Sequence, residues 1–158
     1  SEKVISQPTG RITALQYLSF ALTKIYFTIS RSTIIATDEW QVDPGKKYIV
    51  ASTHVSWLDP FLATTALSWK RLRPMLPCRF IAAPVFMQKR TLRSLMLWLG
   101  AYPSHPLNDL AYGLEASQVL LEKGQTIVIF PQGKRNRTDS RVHRGVAELV
   151  GVHLAEAL

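Results

Sequence analysis

Apolar residues crowd one stretch near the start of the chain. The run ITALQYLSFALTKIYFTI, from Ile12 to Ile29, is interrupted by Gln16 and Lys24 and bounded by Arg11 and Arg31, and it predicts a helix. Its length makes it a marginal membrane-spanning candidate. Tyr17, Phe20, Tyr26 and Phe27 favour a helix lying in a lipid headgroup zone, and the alternative is a helix packed under the domain. Past Arg31 the pattern changes to short β-branched runs. Ser32 to Thr37 and Lys47 to Ser52 predict strands on either side of an Asp43-Pro44-Gly45 turn. A helix is expected from Pro60 to Trp69 with Asp59 as its cap, a strand from Cys78 to Ala83, and a helix from Thr91 to Leu99 that stops at Gly100. Asp109 to Lys123, between Asn108 and Gly124, places Leu110, Leu114, Ser117 and Leu121 on one helical face; Gln125 to Phe130 follows as a strand. Val146, Leu149, Val150, His153, Leu154 and Ala157 mark a last amphipathic helix. The alternation implies an α/β fold: a mixed, largely parallel sheet flanked by helices, preceded by an apolar N-terminal helix.

Composition narrows the classes without changing that picture. The 158 residues suit one core, and a hydrophobic fraction of 47% excludes a disordered chain. Cys78 is the single cysteine, so neither an intramolecular disulfide nor a cysteine-based zinc cluster can form, which suits a reducing compartment. Nineteen Lys and Arg against eleven Asp and Glu leave a formal charge of +8, which asks for an anionic partner. Between Asp59 and Asp109 there is no acidic residue, whereas Lys70, Arg71, Arg73, Arg79, Lys89, Arg90 and Arg93 lie there. Lys89, Arg90 and Arg93 lead into Leu95, Met96, Leu97 and Trp98, which suits contact with an anionic membrane surface. A nucleic-acid module should show a recognition helix or cations interleaved with stacking aromatics; the aromatics here cluster in apolar runs, so no nucleic acid is expected.

Candidate chemistry lies where strands end. Ser52 to Asp59 reads Ser-Thr-His-Val-Ser-Trp-Leu-Asp: a strand ends, His54 emerges, and Asp59 follows five residues later at a helix start. A turn there lets the carboxylate fold back on the imidazole, fix its tautomer and leave the other nitrogen to take a proton from a hydroxyl. That is a Ser-His-Asp triad whose serine is replaced by the substrate. Asp59 as a simple helix cap is the bland alternative. The second strand end, Phe130-Pro131-Gln132-Gly133-Lys134-Arg135, sends a buried strand into a glycine turn followed by two cations.

Together the two segments resemble the glycerolipid acyltransferase family, which includes 1-acylglycerol-3-phosphate acyltransferases and tafazzin-like proteins. His54 to Asp59 is similar to its HxxxxD motif and Phe130 to Arg135 to its FPEGTR motif, within a resemblance over roughly residues 30 to 150. The resemblance implies an O-acyltransferase with His54 as general base, oriented by Asp59. Acyl-CoA or acyl carrier protein serves as co-substrate, with no metal or other cofactor. It also implies substrate-binding roles around the dyad and the glycine turn, for Ser56, Gln132, Gly133, Lys134, Arg135 and Arg137. The acceptor would be the hydroxyl of a lysophospholipid, and the enzyme would be membrane-associated on the cytoplasmic face. Residues 1–31 would then be a membrane-associating helix and residues 32–158 the acyltransferase domain, ending before the family's fourth motif. Two positions depart from the pattern. Pro106 stands where the family places a phosphate-binding arginine, and Gln132 replaces its glutamate. A neutral lipid alcohol or glycolipid acceptor, or a non-catalytic membrane-docking relative, is the alternative these changes suggest.

Overall fold

The computed structural model describes residues 9–31, 41–46, 48–56, 59–65, 67–103 and 110–132. The chain forms α1 (Thr9–Ile29), β1 (Ile49–Ala51), α2 (Asp59–Thr65), α3 (Trp69–Met75), β2 (Cys78–Ala82), α4 (Pro84–Gln88), α5 (Arg90–Trp98), β3 (Ala101–Pro103), α6 (Leu110–Glu122) and β4 (Thr126–Ile129). The four strands pair in the order β1-β4-β2-β3, and every pairing is parallel. Parallel neighbours need crossovers, which the helices between the strands provide. The strand expected over residues 32–37 and the helix over 146–157 lie outside the described residues.

Alternation along the inner strands divides the core. Cys78, Phe80 and Val128 join Phe20, Leu72 and Met75 on one face, whereas Ile127 and Ile129 meet Leu120 and Leu121 of α6 on the other. All four residues of β4 are buried, as a central strand covered on both faces requires.

Helix α1 packs on the first of these faces. Ile12 and Phe20 are buried, and the Gln16 side chain between them reaches the main chain of two other elements. Its Oε1 accepts from the Cys78 N–H at 3.0 Å, and its Nε2 donates to the carbonyls of Cys78 and of Leu99, the latter at 2.8 Å. Gly100 admits this contact. It sits at φ +100°, and a Cβ there would meet the Cys78 carbonyl oxygen and Gln16 Nε2, each at 2.6 Å. Leu18, Leu22, Ile25 and Ile29 recur at helical spacing on the opposite side of α1 and are exposed. The helix is thus apolar on two sides, one docked under the domain. No described helix is long and apolar enough to cross a membrane.

The structure departs from the sequence pattern at four places, one of them the short helix α4, for which the pattern predicts no element. The single helix expected over 60–69 is two: α2 ends at Thr65, and α3 begins after Ser68. Helix α3 buries Leu72 and Met75, three apart, and Pro74 falls in its last turn, where the helix is already ending. Strand β3, three residues ending in Pro103, is too short to show alternation. Arg79 leaves the basic surface altogether: on β2 it is 1% exposed, and burial pulls its guanidinium down to about 10, with Tyr102 opposing that shift.

Candidate active site

The strand register brings the two segments together. Ala51 pairs with Ile129 at the carboxyl ends of β1 and β4, and the Ser52 N–H extends the ladder to the Ile129 carbonyl at 3.0 Å. The residues that follow, His54 on one side and Phe130 to Gln132 on the other, must therefore emerge side by side. The His54 ring stacks on the Phe130 ring at a centroid distance of 4.4 Å and an angle of 28°. The His54 N–H donates to Gln132 Oε1 at 2.7 Å, so residues 78 positions apart are joined directly.

Asp59 organises the loop from its other end. Its Oδ2 lies 2.9 Å from His54 Nδ1 and also accepts the N–H groups of Val55 and Ser56. The Asp59 N–H in turn donates to the Ser56 carbonyl at 3.2 Å, closing the turn. These three bonds are to groups that precede the helix, so the carboxylate organises the loop. Burial pushes the Asp59 carboxyl up. The Ser56 N–H, the His54 ring and the Val55 N–H together outweigh it and hold the group below the usual carboxylate range.

An ionised carboxylate can only accept, so the proton on its imidazole partner belongs on Nδ1. Nε2 then carries the lone pair. The side chains of His54 and Asp59 are 20% and 12% exposed, sheltered yet within reach of a substrate. The arrangement can take a proton from a bound hydroxyl without a nucleophile of its own.

The other residues named from sequence fall in different places. Ser56 contributes its N–H and its carbonyl to the Asp59 turn. Gln132 touches His54 itself, a contact that only the register of β1 on β4 could have revealed. Lys89, Arg90, Arg93 and Trp98 are exposed and lie along α5 and its cap, away from the dyad in sequence. Gly133, Lys134, Arg135 and Arg137 lie outside the described residues, as does Pro106. Among the described residues no group of three or more His, Cys, Asp and Glu could hold a metal ion.

The described structure is thus a parallel α/β sheet with a histidine–carboxylate pair at its strand ends. The chain belongs to the Acyltransferase family, whose pattern it matches over residues 33–153. It is therefore an enzyme that transfers acyl groups. Comparison with curated proteins and with solved structures yields no match.

Proposed function

We propose that this acyltransferase moves a fatty acyl chain from acyl-CoA or acyl carrier protein to a hydroxyl of a lysophospholipid such as 1-acylglycerol-3-phosphate. The observation that carries the reading is the 2.9 Å contact of Asp59 with His54 Nδ1, which leaves Nε2 as the base. His54 Nε2 removes the hydroxyl proton, and the oxygen adds to the thioester carbonyl. The tetrahedral intermediate collapses with loss of the thiolate, which takes up the proton held by His54. The resemblance puts the oxyanion donors among backbone N–H groups near Gly133. A small apolar cleft lined by Pro60, Leu72, Phe80, Leu99 and Val128 with Gln16 lies behind α2; at about 20 Å³ it has room for a water and not for an acyl chain.

The same reading has the enzyme working on the cytoplasmic face of a membrane. Leu18, Leu22, Ile25, Tyr26 and Ile29 of α1 and Leu95 and Trp98 of α5 are exposed, an apolar surface that water disfavours. Lys89, Arg90 and Arg93 add exposed positive charge at the start of α5, complementary to anionic headgroups. Charge reversal at these three positions should weaken binding to anionic liposomes and leave neutral ones nearly unaffected. Added salt should act the same way, since exposed charges are screened beyond about 10 Å at 0.1 M ionic strength. Equal binding of wild type and variant to anionic liposomes at low salt would remove the cations from the account.

A neutral acceptor is favoured by one fact, Pro106 in place of the family's arginine. The deciding assay supplies labelled acyl-CoA with a panel of lysolipids and lipid alcohols. Transfer to lysophosphatidic acid supports the first reading, with Lys134, Arg135 or Arg137 on the phosphate. Efficient transfer to a neutral lipid alcohol with none to lysophosphatidic acid would replace it with the second.

A further inference from the structure

We propose that Gln132 is a positioning residue that holds the catalytic histidine through its main chain; the inference deepens the reading of His54 as base and rests on it. The resemblance assigns Gln132 to substrate, but the geometry points elsewhere. Its amide oxygen takes the His54 N–H at 2.7 Å, and a backbone N–H can only be matched by an acceptor, so the orientation of the amide is set by that bond.

Three successive N–H groups of the loop are thereby held by two side chains. His54 donates to Gln132, while Val55 and Ser56 donate to Asp59. Asp59 alone fixes the ring by Nδ1 and the loop downstream of it, and nothing in that set fixes the Cα of His54 relative to β4. Gln132 supplies that constraint from the end of the neighbouring strand. The flat contact of the His54 ring on Phe130, two residues before Gln132, gives the imidazole its second wall. A base must meet its hydroxyl within hydrogen-bond reach, and a displacement of about 1 Å can lower turnover about 10²-fold, so a main-chain tether at this point acts directly on rate.

An acceptor oxygen is all that the His54 N–H requires. Glutamate at 132 meets that requirement, and an aliphatic side chain of similar size does not. The departure of this chain from the family at 132 therefore preserves the tether while removing a formal negative charge from beside the dyad.

The test uses the whole chain with Gln132→Leu and Gln132→Glu. Amide hydrogen exchange resolved at residues 54 to 56 reads the tether without reference to activity. Exchange at His54 should quicken at least tenfold in Gln132→Leu and stay near wild type in Gln132→Glu. In acyl transfer from labelled acyl-CoA, Gln132→Leu should lower kcat about tenfold to a hundredfold with the acceptor KM within about twofold, and Gln132→Glu should recover most of it. His54 exchange unchanged in Gln132→Leu overturns the proposal. So does a rise in KM at constant kcat, the mark of a group that binds substrate. If the wild-type chain transfers no acyl group, the general-base reading fails, and the exchange result still decides whether Gln132 holds His54.

Discussion

Two side chains in this enzyme each gather three partners at a bend of the main chain, and they are opposites in chemistry. Asp59 collects His54 Nδ1 and the N–H groups of Val55 and Ser56; Gln16 collects the N–H of Cys78 and the carbonyls of Cys78 and Leu99. The partners of Asp59 all donate, so an acceptor-only carboxylate matches them. Those of Gln16 are mixed, which a carboxylate cannot satisfy and a primary amide can. The charged hub can polarise a neighbour and titrate, and it stands beside the His54 ring. The neutral hub does neither and joins a helix to the sheet. Function and structure are separated here by the kind of group placed at the hub, although the number of bonds is the same.

Substitutions can break that contrast in graded fashion. The largest effect is expected from His54→Ala, which should lower turnover about 10²–10⁴-fold while the circular dichroism of the folded state is retained. An unchanged rate would remove the general base from the mechanism. Gly100→Ala should act on stability alone. The new Cβ must displace the Cys78 carbonyl or Gln16 at a φ that only glycine adopts freely, for a loss of about 3 kcal/mol or more in denaturant unfolding. Gln16→Ala should lose about 2 kcal/mol by stranding the main-chain groups of Cys78 and Leu99, with kcat per folded molecule close to wild type. A matching fall in kcat would mean that the two hubs are coupled.

The smallest effect belongs to the pH dependence of Asp59→Asn, whose catalytic loss should be less than that of His54→Ala. The folded state lowers the Asp59 pKa, so the carboxylate stabilises the fold at pH values above the unfolded value of about 3.9, and that contribution disappears as the pH falls through the folded value. Wild type should exceed Asp59→Asn in stability by about 1 kcal/mol at neutral pH. The gap should close in strong acid. A gap that persists at low pH would assign it to packing.

The two hubs also differ in how far sequence reveals them. Asp59 and His54 are five residues apart, so a turn between strand and helix is enough to suggest their contact. Gln16 lies 62 residues from Cys78 and 83 from Leu99, and in the sequence it reads only as an interruption of an apolar run. The same distinction runs through the fold. Strands β2 and β4 and helices α5 and α6 carry long apolar patterns and stand where the pattern puts them. Helix α3 is hidden by Pro74 and three cations, and its two inward residues become meaningful only beside Phe80 and Val128. Arg79 is the sharpest case. Charge suggests surface, but the strand that contains it is central, and neither face of a covered central strand meets water. Gln132 shows the reverse: its place in a motif was legible, and its bond to His54 was not, because that bond depends on the pairing of β1 with β4.

The Gln16 junction bears on how the enzyme can be handled. A run of apolar residues ahead of a catalytic domain invites trimming, in the hope of a smaller protein that needs no detergent. Here the cut would remove Ile12 and Phe20 from the interior, take Gln16 and Ser19 from the wall of the apolar cleft, and leave three main-chain groups facing an opened seam. Solubility is better sought by replacing Leu18, Leu22, Ile25 and Ile29 with polar residues, one stripe of the helix, while the stripe that builds the enzyme is left in place.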